Sequence, residues 1–497
     1  MSLKSLLALP FALRVKKGID KWAANPLETQ ERVFQDLIST AVATEFGKDH
    51  NFVSINCHQD FVKQVPVRDY EQLKPYVDKV VAGKSDVLWP KKPLYFAKTS
   101  GTTSGAKYIP ITKESMPTHI ANARNAIMCY IAETKNTKFV DGKMIFLQGS
   151  PVLSEQNGIN LGRLSGIVAH YVPKYLMKNR LPSWETNCIE DWETKVNAIV
   201  NETVSENMSI ISGIPSWVQM YFEKLVEKTN KPIGELFKNF NLFIYGGVNY
   251  EPYRSKFEQL IGRQVDSIEL YPASEGFFAF QDSQLEKGLL LQLNSGIFYE
   301  FISVTDFSKE QPKRITLKDV EVGVNYVMII STTAGLWGYN IGDTIQFTST
   351  NPYRIIVSGR IKHFISAFGE HVIGKEVEQA LQEAIKGTDV RINEFTVAPQ
   401  ITPEKGLPYH EWFIEFENEP ENMVVFSNKI DKALQQQNSY YFDLIDGKVL
   451  QPLVITKVRT HGFQNYMKSI GKLGGQNKLP RLSDNRSIAD KLSKFCI

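Results

Sequence analysis

The chain has 497 residues, 57 basic and 54 acidic side chains and a net charge of +3. It is long enough for two or three hydrophobic cores, and it lacks the positive field that nucleic-acid binders present to a phosphate backbone. Cys57, Cys129, Cys188 and Cys496 lie far apart with no CxxC pair, which excludes a zinc ribbon or disulfide framework and suits a reducing, cytoplasmic compartment.

In chain order, "SLLALPFAL" is followed by "RVKK" without a small-residue cleavage site, the pattern of an amphipathic helix rather than a signal peptide. No apolar run reaches the ~18 residues of a membrane span, so a small-molecule partner is expected, with no nucleic acid and no membrane. "PLETQERVFQDLISTAVATEFG" repeats its apolar residues with a helical period. A strand, "PLYFAK", leads into the hydroxyl-rich loop "TSGTTSGAK"; a helical pattern runs from Lys113 to Thr134, and strands follow at "KMIFLQG" and "SIISGIP". The stretches "NLFIYGG", "EPYRSKFEQLIG" and "SIELYPASEG" read as strand, helix and strand, a parallel βαβ crossover. Residues 288–358 are β-rich, predicting a smaller sheet or distorted barrel. Beyond Gly359 helices such as "GKEVEQALQEAIKG" alternate with strands such as "EWFIEF". The expected fold is α/β: a large N-terminal domain over residues 1–360, with parallel or mixed sheets, helices and a small β-barrel-like subdomain, and a smaller α/β domain over 361–497.

The hydroxyl loop carries the first functional signal. Gly101 can turn backbone amides inward as an anion nest, and Thr99, Ser100, Thr102, Thr103 and Ser104, with Lys107, supply donors for a polyphosphate. The P-loop pattern is not met, because Ala106 stands at its second glycine and Tyr108 follows Lys107; an ordinary Ser/Gly loop is the alternative. Ligands of open α/β sheets lie outside the carboxyl ends of strands. Two such ends are "GGVNY", with Gly246, Gly247, Val248 and Asn249, and "YPASEG", with Tyr271, Ala273, Ser274 and Glu275. The glycines allow close approach of a flat base, Tyr271 offers a ring to stack on it, and Glu275 is a carboxylate suited to Mg²⁺, an ordinary surface carboxylate being the alternative. Asp343 follows Gly342 in a turn between strands, where it can accept both hydroxyls of a ribose, a purely local turn being the alternative. In the helix after Lys113, Arg124 falls on a stripe with Met116, Ile120, Ile127 and Ile131. A cation there invites a carboxylate, against the alternative of an arginine reaching to solvent. The eight histidines form no metal-ligand pattern.

Five ordered motifs, "TSGTTSGAK", "GGVNYEP", "YPASEG", "GYNIGD" and "GRIKHFISAFGEHV", occur between about residue 20 and the C-terminal "KLPR". Together they resemble the acyl-acid amido synthetases of the Gretchen Hagen auxin-responsive family, a branch of the adenylate-forming superfamily. The lean N-terminus is similar to bacterial-type members. The resemblance implies ATP and Mg²⁺ as cofactors and a mobile C-terminal domain. It also implies a two-step reaction that adenylates a small carboxylic acid and passes the acyl group to an amine such as an amino acid; the oligomeric state is left open, a monomer being favoured. It further implies that "GGVN" holds adenine, Tyr271 stacks on it, Asp343 clasps the ribose and the hydroxyl loop holds the β and γ phosphates. Glu275 then sits by Mg²⁺, Arg360 contacts ribose or α-phosphate after a hinge, and Lys478 reaches the α-phosphate. "SGIPSWVQMYF" resembles the family's pocket wall, which puts Ile214, Trp217 and Val218 near the acid. His371 stands where the family pattern has lysine. An acyl-CoA ligase and a nonenzymatic nucleotide-binding sensor are the alternatives; the sensor is disfavoured by the joint presence of Glu275, Asp343, Arg360 and Lys478.

Overall fold

The helices and strands were located in a computed structural model. It describes residues 3–99, 107–172, 177–247, 250–307, 309–361, 364–365, 372–446, 449–473, 478–483 and 485–497. Helix α1 spans Leu3–Ala23. Helix α2 (Pro26–Ala41) begins on a proline, whose missing N–H costs nothing at a helix start. Its buried Val33, Phe34, Leu37 and Ile38 recur at the spacing read from the sequence. Helix α3 (Tyr70–Val81) is fixed at its start by a reciprocal pair, Asp69 capping the Gln72 amide and Gln72 returning to the Asp69 amide. Strands β1 (Tyr95–Thr99) and β2 (Lys107–Ile111) pair antiparallel, and helix α4 (Met116–Thr134) follows.

The next elements are β3 (Lys143–Phe146), β4 (Ser154–Gln156), β5 (Ile159–Gly162), α5 (Leu164–Ala169), β6 (Arg180–Leu181), α6 (Trp192–Thr203), β7 (Met208–Ser212), α7 (Pro215–Thr229), β8 (Leu242–Gly246), α8 (Glu251–Ile261) and β9 (Asp266–Ala273). β10 (Gly276–Phe280), β11 (Leu289–Leu291), β12 (Ile297–Ser303), β13 (Asn325–Thr332), β14 (Tyr339–Thr350) and β15 (Tyr353–Arg360) complete the first series. Eleven of these strands form one sheet in the order β12-β13-β14-β15-β11-β10-β9-β8-β7-β3-β6. From β9 to β6 the neighbours are parallel. β7 and β8, near-continuous apolar runs buried along most of their length, have the composition of strands covered on both faces.

The β-rich stretch is not a separate small sheet or barrel. β10 doubles back on β9 through a two-residue turn, and β11 to β15 continue the same sheet from there. A strand such as β12, six of whose seven residues are buried, gains its ladder by adding to an existing sheet edge.

Compactness divides the chain into two units, Met1–Val248 with Ile261–Ile356, and Asn249–Leu260 with Val357–Ile497. Helix α8 thus groups with the C-terminal residues, a feature that strand-helix-strand spacing does not reveal. In the second unit a two-residue pair, β16 (Phe364–Ile365) and β17 (Val372–Ile373), precedes helix α9 (Gly374–Ile385). β18 (Arg391–Gln400), β19 (Tyr409–Asn418) and β20 (Val454–Val458) form a three-stranded sheet, with helix α10 (Met423–Gln437) between β19 and β20 in sequence. Val377, Leu381, Trp412, Ile414, Ile430 and Leu434 share one core there. Among the described residues no helix is long and apolar enough to cross a membrane.

One buried ion network locks the N-terminal helices to the sheet. Glu300 of β12 is fully buried and accepts from Arg314 Nη2 at 2.6 Å and Nε at 3.0 Å, while His58 Nε2 lies 2.7 Å from its carboxylate. Burial alone pushes this carboxyl upward; Arg314 and His58 together outweigh burial and hold it below the ordinary glutamate range. The stability it contributes is therefore present above the unfolded glutamate value and is lost as pH falls through the depressed folded value. Arg314→Met is expected to cost about 3–5 kcal/mol by stranding the carboxylate, measured by denaturant unfolding at neutral pH. Glu300→Gln is expected to flatten the loss of stability on acidification below about pH 4.

Candidate active site

β8 and β9 run parallel and pair Gly246 with Leu270, so their carboxyl ends open on the same edge of the sheet. At that edge Tyr271 donates to Asp343 Oδ2 at 2.5 Å, and both side chains are buried. Asp343 arrives through an irregularity in β14. Val327 faces Thr344 and Ile329 faces Asn340, so Ile341, Gly342 and Asp343 bulge outward opposite a single residue. Asn340 accepts from the Gly342 amide at 2.8 Å, and Gly342 has φ +84°, a conformation glycine adopts without strain. The turn expected between strands is thus a bulge within one strand, which re-aims Asp343 while the ladder continues on either side.

Tyr271 also meets Phe278 edge to face at 5.1 Å. Ala273 pairs with Gly276, leaving Ser274 and Glu275 as the two-residue connection of a tight hairpin, where Glu275 is half-buried. Gly246 has a packing reason of its own: a Cβ there would lie 2.5 Å from the Leu270 carbonyl oxygen. Gly247 follows with φ +85°.

Thr99 and Lys107 face each other as the last pair of the β1–β2 ladder, on either side of the connecting segment. The connecting Ser100, Gly101, Thr102, Thr103 and Ser104 lie outside the described residues, as do Val248, Asn249 and His371. Lys107 Nζ lies 5.4 Å from the Tyr70 ring centroid, a cation–π arrangement at the hairpin base. On the wall proposed for the acid, Ile214 caps α7, and Trp217 and Val218 are buried, Trp217 against Trp192 at 4.7 Å.

Arg124 falls elsewhere. The buried face of α4 runs through Met116, His119, Asn122, Ala126, Cys129 and Tyr130, so Ile120 and Ile127 are only half-buried and Arg124 is exposed. It lies 5.9 Å from the Phe11 ring centroid of α1 and donates to Asn125. The stripe is rotated because a buried polar group was available to it: Asn122 donates to Ser295 Oγ at 3.0 Å.

Arg360 and Lys478 belong to the second unit and are exposed. Lys478 is placed by the segment after it. Val397 of β18 bonds the Arg481 carbonyl at 3.0 Å and the Ser483 amide at 2.9 Å, and Thr396 donates to the Pro480 carbonyl at 2.7 Å. Arg481, half-buried, donates to Glu394 and to the Tyr253 hydroxyl (3.0 Å) and stacks over Phe395 at 4.7 Å. Sequence reading passed over Arg481 and the Asn340 brace because neither belongs to a polar loop or a strand end.

A parallel sheet with buried polar groups at its carboxyl edge, followed by a smaller α/β unit, is the architecture of adenylate-forming ligases, and solved structures share it. A GH3.15 acyl acid amido synthetase superposes with a TM-score of 0.79 at 17% identity, covering 97% of this chain and 96% of its own. A 2-hydroxyisobutyryl-CoA ligase matches at 0.61 and 12% identity, covering 94% and 91%. Models of the GH3 family N-terminal, central and C-terminal domains match residues 15–187, 290–360 and 375–487, and the chain belongs to the GH3 family. It is 21% identical to indole-3-acetic acid-amido synthetase GH3.3 of Arabidopsis thaliana, over 97% of this chain and 92% of that protein. It is 20% identical to jasmonoyl–L-amino acid synthetase JAR4 of Nicotiana attenuata, over 91% and 90%.

The close approach at Gly246 gives a direct check. Gly246→Ala is expected to lower stability by about 1–3 kcal/mol, by forcing β8 and β9 apart, with or without ATP. Thermal unfolding with and without the nucleotide separates this packing role from a base-binding one.

Proposed function

We propose that the chain is an ATP-dependent ligase that converts a small carboxylic acid to its acyl adenylate and then to an amide with an amino acid. The observation that carries this reading is the buried Tyr271–Asp343 pair at the carboxyl edge of the parallel sheet, in a chain of the GH3 family. The acid carboxylate attacks the α-phosphorus of ATP and pyrophosphate leaves, so the chain must gather positive charge and donors where two anions meet.

Asp343 accepts from the ribose hydroxyls, its position fixed by the Tyr271 hydroxyl, and the Tyr271 ring lies against adenine beside Gly246 and Gly247. Thr99, Lys107 and the hydroxyl loop between them hold the β and γ phosphates. Glu275 fits a magnesium ion carried in by ATP, since such ions use one or two protein carboxylates and complete their shell with phosphate and water; when bound, the ion neutralises phosphate charge. Ile214, Trp217 and Val218 form the wall against the acid. Arg360 supports the ribose or α-phosphate, and Lys478 offsets the charge that builds on the α-phosphate. The amine then displaces AMP from the acyl carbon.

Two expectations test the assignments. Asp343→Ala should weaken ATP by about ten- to a hundredfold, through the loss of charge-assisted bonds to a diol; calorimetry that finds unchanged affinity in a folded variant rejects the ribose role. Lys478→Ala should slow pyrophosphate exchange by about 10²- to 10³-fold and change amide formation from a supplied acyl adenylate little. Equal losses in the two half-reactions reject the α-phosphate role.

A further inference from the structure

The segment after β3 gathers a set of charges that the adenylation chemistry leaves unused. Leu147 continues β3, its amide bonding the Ser212 carbonyl of β7 at 2.8 Å. Gln148, 2% exposed and oriented by its hydrogen bonds, accepts from Arg180 Nη2 at 2.8 Å and donates to the Ser165 carbonyl at 3.1 Å. Gly149 lets Arg163 pass close to the chain, since a Cβ there would stand 3.3 Å from Arg163 Cδ and 3.8 Å from both Arg163 Nη1 and Ser165 Oγ. Ser150 Oγ reaches the Cys188 carbonyl at 3.5 Å. The neighbouring Asn187 carbonyl accepts from Lys195 Nζ at 2.6 Å.

Two cations flank this stretch, Arg163 exposed at the rim and Arg180 half-buried and also donating to the Ala169 carbonyl at 3.1 Å, and Lys195, 2% exposed, is held next to it by Asn187. None forms an ion pair with a carboxylate among the described residues. The exposed Glu190 acts on Lys195 only from beyond bonding distance, and burial pushes the Lys195 ammonium down to about 8. Two buried side-chain groups here that can donate, the Ser165 hydroxyl and Trp192 Nε1, also have no hydrogen-bond partner among the described residues. Elsewhere the chain pairs buried charge, as at Glu300 with Arg314 and Asp282 with Arg354. A cationic cluster lacking a counter-charge is costly unless an anion reaches it.

The cluster adjoins the wall assigned to the acid. A Cβ on Gly213 would meet Leu147 Cβ at 3.0 Å and Val218 Cγ2 at 3.1 Å, and Trp192, one turn before Lys195 on α6, packs on Trp217. We propose that Arg163, Arg180, Lys195 and Ser165 form a subsite for a substrate carboxylate that does not react, either the α-carboxylate of the amino-acid acceptor or a second carboxylate on the acid. This rests on the synthetase reading above and specifies what that site selects.

The test uses the full chain and the Lys195→Met and Arg180→Gln variants. Acceptor choice is read as the ratio of kcat/KM for L-alanine to that for L-alaninamide; comparing variant with wild type cancels the different basicity of the two amines. Acid choice is read by pyrophosphate exchange with adipate against hexanoate. The expected result is a loss of about ten- to a hundredfold in one of the two ratios, through KM. A fall in the alanine ratio assigns the subsite to the acceptor; a fall in the adipate ratio assigns it to the acid. If both ratios keep their wild-type values in folded variants, the cluster is structural and the proposal is overturned. Should Lys195→Met not fold, Arg180→Gln, altered at a half-exposed position, decides alone. Wild-type protein that binds ATP but supports no pyrophosphate exchange with any acid would instead overturn the synthetase reading, a distinct failure.

Discussion

The hydrogen bond between Tyr271 and Asp343 joins residues 72 apart in sequence and ties together the two halves of the main sheet. Tyr271 sits near the end of the last parallel strand, and Asp343 sits on a bulge in the antiparallel continuation. A buried carboxylate must keep its hydrogen-bonding partners or pay a desolvation cost of several kcal/mol, so the phenol fixes where the acid group points before any nucleotide arrives. The rest of the edge follows from that constraint: the tight Ser274–Glu275 turn returns β10 beside β9, and the close β8–β9 approach needs glycine at 246.

Buried charge is used in two ways. Where it serves the fold it is paired and bonded from several sides: Glu300 with Arg314 and His58, Arg354 with Asp282, and Arg481 with Glu394 and Glu378. In the second unit, Arg481 pins the segment that carries Lys478 three residues earlier to the edge of β18. Around Gln148 the pattern changes, and cations stand near one another with no carboxylate paired to them among the described residues. The same low-dielectric setting that makes a paired network rigid makes an unpaired one receptive to an anion.

Much of this was legible in the sequence, because it rested on periodicity and turn chemistry. The α2 helix, the β8–α8–β9 crossover and the strand ends at Gly246 and Tyr271 follow from local patterns that tertiary packing left intact. Two features escaped for physical reasons. The rotation of α4, which buries His119 and Asn122 and exposes Arg124, depends on a hydrogen bond to Ser295 that no local window contains. The fusion of the β-rich stretch with the parallel sheet depends on edge pairing, which apolar content does not encode. The Gly342-Asp343 pair stands out in the sequence as turn chemistry, yet the bulge that carries Asp343 and its tyrosine partner are properties of register alone.

The central claim is that this chain joins a carboxylic acid to the α-phosphate of ATP and then passes the acyl group to an amine with release of AMP. It is tested most directly with carboxyl-¹⁸O-labelled acids, drawn from an aromatic and an aliphatic panel, incubated with ATP, Mg²⁺ and an amino acid. The account predicts amide and pyrophosphate in equal amounts and one ¹⁸O atom in the AMP, because the acid's own oxygen forms the bond to phosphorus and stays with it. Release of ADP with labelled orthophosphate, or AMP without label, would contradict it.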